Sequence, residues 1–200
     1  MKQIIALGDS IVRGIVLDKS QNNLKYRYTQ LDENFVAICS AQLGCVIKNF
    51  GMFGNTTLRA LHNLDRHKSA IESSEYVIME FGGNDCDHHW SEIADNPSAE
   101  HHPFISIPQY SEQLHELIAS VQSLGAKPIL LSLPPIIADK YFDTFTKDMS
   151  REQRDNVLLW LNGCLENITQ WHDMYNLALF KLASDTGVEV IDITTPFLVK

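Results

Sequence analysis

The chain has 200 residues, 44% of them hydrophobic and 20% charged, with a formal net charge of −9. That size suits one domain spanning 1–200 with a substantial core, and the acidic balance speaks against a nucleic-acid partner, whose phosphates need a basic face. No apolar run approaches the ~20 residues of a membrane span, and strand-like sequence from Lys2 leaves no room for a secretory signal, so a cytoplasmic protein without membrane insertion is expected.

The first apolar run, Gln3 to Leu7, closes on Gly8-Asp9-Ser10 and reads as a buried strand whose C-terminal end carries a serine. A polar stretch from Arg13 to Gln30 follows, with Tyr26 and Tyr28 in it; it is too long for a tight connection and is expected to wall a substrate site. Asn34 is placed to cap a helix carrying Phe35, Ile38, Cys39 and Leu43 on one face, and Gly44 to end it. Residues 45–50 read as a second strand, running into Asn49-Phe50-Gly51-Met52-Phe53-Gly54-Asn55-Thr56-Thr57. Thr56 or Thr57 would cap a helix that buries Leu58, Leu61, Leu64 and Ile71.

A third strand, 76–81, ends in Gly82-Gly83-Asn84-Asp85, and an irregular insertion over 86–108 follows, with histidine and aromatic side chains at both ends. A helix from Ser111, with Leu114, Leu117, Ile118, Val121 and Leu124 at helical spacing, closes at Gly125. A fourth strand covers 127–133 and stops at Pro134-Pro135. A largely helical region, 150–184, carries Trp171, Tyr175, Ala178 and Leu182 on one face and ends at Gly187 before a fifth strand over 188–193. Short apolar strands alternating with helices define a three-layer α/β/α, flavodoxin-like fold with a five-stranded parallel sheet. The cysteines Cys39, Cys45, Cys86 and Cys164 form no Cys-x-x-Cys pair and read as reduced thiols.

Sites in open parallel sheets form outside the C-terminal ends of the strands. Neighbouring first, second and third strands would bring together Ser10, the glycines Gly51 and Gly54, and Asn84. That is a nucleophile with donors for the oxygen that turns negative in acyl transfer. Gly51 can bring a backbone N–H close because it lacks Cβ, and the Asn84 amide donates without titrating. Singly, each of these residues would read as a turn former; three ordered sets at strand ends shift the balance.

With these residues the sequence resembles the SGNH/GDSL hydrolase family, through Gly8-Asp9-Ser10, through Asn49-x-Gly51-x-x-Gly54 with Thr56, and through Gly82-x-Asn84-Asp85. The resemblance implies a serine acylhydrolase or esterase, with Ser10 as nucleophile and an oxyanion hole from the Ser10 N–H, the Gly51 N–H and Asn84. It implies a small acyl ester or thioester as substrate and no cofactor.

The family's fourth motif, Asp-x-x-His, which supplies the general base and its carboxylate, is not met before Lys200. Two explanations stand: a longer native chain that carries the motif, or a substitute such as His88 in Asp85-Cys86-Asp87-His88. Lack of a base also motivates an alternative function, a non-catalytic protein of the same fold that binds an acyl ligand. Further site-lining candidates are Asp9, at the Ser10 turn, and Arg13, the nearest basic group for an anionic substrate. Asp85, His88 and Trp90 in the insertion complete them, with Pro103 and Phe104 beside Trp90. The histidines His88, His89, His101 and His102 fit no zinc spacing, so no metal site is expected. His172, beside Trp171, reads as a surface or core-edge residue.

Overall fold

The computed structural model describes residues 3–18 and 27–199, so Tyr26 and Lys200 lie outside the described residues. A parallel sheet is built from β1 (Gln3–Gly8), β4 (Val46–Asn49), β5 (Tyr76–Glu80), β6 (Lys127–Leu131) and β7 (Glu189–Ile191), in the order β4-β1-β5-β6-β7. The strands that end in the three special motifs are therefore adjacent. Gly8 pairs with Glu80, and Ala6 with both Asn49 and Ile78, so the three strand ends lie level with one another.

Alternation along β1 sends Ile5 and Leu7 to one face and Ala6 to the other. Ile5 and Leu7 join the main core with Val77, Met79 and Leu130, under α3 (Thr57–Glu72), α5 (Ile107–Ser123) and α8 (Glu166–Thr186). Tyr110, Leu114, Leu117, Ile118 and Val121 form the buried stripe of α5 at helical spacing. Fully burying each such side chain stabilises the fold by about 1.5–3 kcal/mol. Ala6 meets Val12 and Val36 on the opposite face, under α1 (Ser10–Arg13) and α2 (Phe35–Leu43).

Local signals set the helix ends. Asn34 Oδ1 accepts from Ala37 N and Thr56 Oγ1 from Arg59 N, while Gly44 and Gly187 end α2 and α8 in the left-handed conformation. The face expected to bury α2 is wrong, however. Ile38 and Leu43 are 46% and 67% exposed and Phe35 also faces solvent, whereas Val36 is the buried residue. Nearly every position of α2 is apolar, so spacing alone could not choose its inner face.

Three segments differ from the sequence expectations. The polar stretch after α1 contains an antiparallel hairpin, β2 (Ile15–Asp18) with β3 (Arg27–Gln30). The insertion holds a helix, α4 (Trp90–Asp95), and α5 begins four residues before Ser111, capped at Ser106. The helical region after β6 is three pieces: α6 (Ala138–Phe145), α7 (Arg151–Trp160) and α8, with Asn162 and Gly163 at positive φ between the last two. A short α9 (Thr195–Leu198) follows β7. A second hydrophobic core, formed by Trp90, Ile93, Phe142, Val157, Leu161 and Ile168, joins α4, α6, α7 and the start of α8 into a cap. No helix among the described residues is long and apolar enough to cross a membrane.

Candidate active site

The Ser10 turn is built from its own sequence. Gly8 leaves room for the chain to double back: a Cβ there would lie 2.3 Å from Val12 Cγ2 and 2.8 Å from Glu80 O. Asp9 caps α1, its Oδ1 accepting from Ile11 N at 2.7 Å. Ser10, half-buried, is the first residue of that helix, so its N–H has no intrahelical acceptor. Among the described residues no side chain is hydrogen-bonded to the Ser10 hydroxyl, histidines included. Arg13 reaches outward instead, donating from Nε to Gln30 Oε1 at 3.0 Å and tying α1 to the hairpin.

The loop after β4 is held against this turn by two asparagines. Asn49 Nδ2 donates to Val12 O at 2.6 Å and Asn55 Nδ2 to Gly8 O at 3.0 Å; Met52 N also donates to Gly8 O. Gly51 is buried in the contact, where a Cβ would come within 2.4 Å of Arg13 N and 2.8 Å of Asp9 O. Its N–H does not point to open space beside Ser10: it donates to Asn49 Oδ1 at 2.9 Å. Gly54, at φ +63°, has an N–H with no partner among the described residues, and its carbonyl accepts from Arg59 Nη1 at 2.7 Å.

Asn84 comes from the third strand end. Its Nδ2 donates to Asp9 Oδ2 at 2.8 Å and to Asn55 O at 3.1 Å, so both amide hydrogens bind the other two loops. The three motifs therefore meet on one side chain. Behind it lies an acidic cluster. Glu80 is 1% exposed, and neither of its oxygens receives an N–H or O–H. Burial, then the neighbouring Asp9 charge, holds Glu80 protonated far above the usual carboxylate range, and it shares a hydrogen bond with Asp9 that exists only while one of the pair keeps a proton. Burial also pushes Asp85 up to about 6. Asp85 Oδ1 is occupied by Thr57, from N at 2.9 Å and Oγ1 at 2.5 Å, and so is committed to the start of α3 and not to His88.

The expected Asp-x-x-His substitute is thus not a dyad. His88 is 7% exposed in a cage of Trp90, Trp160 and Trp171, with ring centroids 5.1–5.4 Å away. Burial lowers its pKa to about 4, so the imidazole is neutral at physiological pH. The other histidines scatter: His89 packs edge-on to Phe104, His101 Nε2 bonds Asn96 O, and His102 pairs with Glu100. No group of three or more potential metal ligands gathers among the described residues.

A cavity of about 200 Å³ lies between the strand ends and the cap, and is lined by Ile11, next to Ser10 in the chain, and by Glu80, Gly83, Trp90, Tyr141 and His172 among others. Asp87 pins its cap side, one oxygen accepting from His88 N (2.9 Å), Trp90 Nε1 (2.7 Å) and Tyr141 Oη (2.6 Å). Trp90 also stacks on Phe145 at 4.1 Å, so it serves both the cavity and the second core. His172 is 4% exposed, not a surface residue, and its Nδ1 has no hydrogen-bond partner.

Sequence reasoning passed over Asn49, Asn55, Glu80, Asp87 and Tyr141. The first two stood inside the second motif, where their amides could have been read as loop ties. Glu80 was visible as a charged residue at the end of an apolar strand. Asp87 stands in the Asp85-Cys86-Asp87-His88 run, but nothing local ties it to Tyr141, 54 residues away.

A serine at the end of β1, two further loops tied to its turn through Asn84, and a capped apolar cavity thus meet at the C-terminal edge of the sheet. Residues 6–200 match the GDSL-like lipase/acylhydrolase family, and the chain belongs to that family, whose class is ester hydrolysis. Among solved structures, similar folds include Axe2, an acetylxylan esterase from Geobacillus stearothermophilus (TM-score 0.61, 18% identity, covering 98% of this chain and 78% of that one). Est24, a carbohydrate acetylesterase from Sinorhizobium meliloti, is similar at TM-score 0.62 and 17% identity over 96% and 84% of the two chains. LAE5, an alpha/beta hydrolase enzyme from the metagenome of Lake Arreo, Spain, is similar at TM-score 0.62 and 18% identity over 98% and 78%. At these identities the likeness is one of fold. No curated protein matches the sequence.

Proposed function

We propose that the protein hydrolyses small carboxylic esters through an acyl-enzyme on Ser10. The observation that carries this reading is the meeting of all three strand-end motifs on Asn84, which is bonded at once to the Ser10 turn through Asp9 and to the second loop through Asn55. Ser10 Oγ attacks the ester carbonyl, forming the Oγ–C bond while its proton passes to the base of the Asp-x-x-His motif that the family resemblance implies. The oxygen that becomes negative is met by the Ser10 N–H, and by the Asn84 amide when it gives up one of its two present acceptors, Asp9 Oδ2 or Asn55 O. On the second loop the Gly51 N–H is taken by Asn49, so the donor we assign there is the Gly54 N–H, which has no partner among the described residues. The intermediate collapses as the C–O bond to the alcohol breaks and the base returns the proton to the leaving oxygen. Water then repeats the sequence on the acyl-enzyme.

Neutral Glu80 supports this chemistry by holding Asp9 in place without adding a second negative charge behind the developing oxyanion. The family's and the neighbours' activities on acyl and acetyl esters fit a modest substrate. The test is covalent labelling of the full-length protein with a small fluorophosphonate. Label on Ser10, lost in Ser10→Ala together with turnover of a short p-nitrophenyl ester, is expected. Unlabelled, folded protein that binds acyl ligands without turnover would establish the binding-protein alternative instead.

A further inference from the structure

Next to the cavity that Ile11 lines is a second one of about 370 Å³, lined by Pro103, Ser106, Pro108, Trp160, Met174 and Tyr175, from the N-terminal end of α5, the end of α7 and α8. The two are back to back and share three lining residues, Cys86, His88 and Trp171. Those residues form a partition. The Trp171 ring packs against Trp160 at 4.9 Å and against His88 at 5.1 Å, and His88 is held from behind by its own N–H on Asp87. A neutral imidazole between indoles closes the wall with apolar surface on both sides.

We propose that Trp171 and His88 set the upper length of the acyl group, and that the second cavity is the space a longer chain would enter if the partition were opened. This rests on the reading of Ser10 as nucleophile. The leaving alcohol and the incoming water need a path to solvent, whereas the acyl group stays on Ser10 through both half-reactions and can occupy a dead end. On this reading the first cavity holds the acyl group, and its shared wall of Cys86, His88 and Trp171 is the stop. Its 200 Å³ against the 370 Å³ of the second cavity makes the first a space for a short acyl chain.

The experiment compares full-length wild type with Trp171→Ala on two ester series. One varies the acyl chain from acetyl to dodecanoyl with p-nitrophenol constant; the other varies the alcohol with acetyl constant. Each added methylene that finds apolar space is worth several-fold in kcat/KM. Trp171→Ala is expected to raise the decanoyl-to-acetyl ratio of kcat/KM at least tenfold and to leave the alcohol series unshifted. An unchanged acyl ratio, or a shift confined to the alcohol series, overturns the proposal. Trp171→Leu and Trp171→Phe, which keep more of the packing, serve if the alanine variant does not fold, and should give smaller shifts in the same order. Labelling of Ser10 by a small fluorophosphonate separates the two failures: absent label in wild type sinks the nucleophile, whereas normal label with an unmoved chain-length profile sinks the partition alone.

Discussion

Asn84 donates a hydrogen bond to Asp9 Oδ2 at 2.8 Å across 75 residues of sequence, joining the third strand end to the turn that carries Ser10. The same amide donates to Asn55 O, so the side chain proposed to stabilise the oxyanion also fastens the loops around it. Replacing it with alanine is expected to lower kcat by about 10²–10³. Asn84→Asp should be worse at pH 8 than at pH 6, because a third carboxyl would then face Asp9 and Glu80. Steady-state kinetics over pH 6–8, beside the melting temperature of each variant, check both statements.

Gly51 is required for contact and not for backbone conformation. A Cβ would press on Arg13 N and Asp9 O, which are main-chain atoms and cannot rotate away. Gly51→Ala should destabilise the protein by about 3 kcal/mol in urea unfolding. It should also depress activity, since the displaced atoms belong to the Ser10 turn. A variant of native stability and rate would show that the loop has slack here.

Tyr141 supplies one of three donors to a single Asp87 oxygen. Tyr141→Phe keeps the ring and removes the hydroxyl, leaving a buried carboxylate less well satisfied. A loss of about 1.5–3 kcal/mol in denaturant unfolding is expected, the range for a hydrogen bond to a charged group. Fluorescence of the cap tryptophans should report the same transition.

Burial raises Asp85 from 3.8 to about 6. The unfolded chain therefore releases this proton at lower pH than the folded one, and stability must fall as pH rises from about 4 to about 6, by an amount of order 3 kcal/mol, and then level off. The raised values of Glu80 and Asp9 act in the same direction. Asp85→Asn keeps an acceptor for Thr57 N and removes the titration, so its unfolding free energy should decline less across that window. Urea melts at half-unit steps from pH 4 to 7 make the comparison; an unchanged slope would mean that Asp85 is ionised in the folded protein.

What the sequence by itself determined was local. Apolar runs ending in Gly-Asp-Ser and Gly-Gly-Asn-Asp placed β1 and β5, and Asn34, Thr56, Gly44 and Gly187 marked helix ends, because strand burial and capping depend on neighbours within a few residues. The five-stranded parallel sheet was legible from apolar runs alternating with helices, whereas the place of β1 between β4 and β5 is a feature of the tertiary structure. Only the tertiary structure decided which donors remain free. The Asn84 amide is shared between Asp9 and Asn55, and Asp85 turns to Thr57 instead of His88. The tertiary structure also buried Val36 and left Leu43 exposed in a largely apolar helix, and joined α4, α6, α7 and α8 into the cap over the cavity that Ile11 lines. Hydrogen-bond partners and helix faces are chosen by whatever packs nearest in space, and residues 28 to 75 positions apart carry no local mark of that choice.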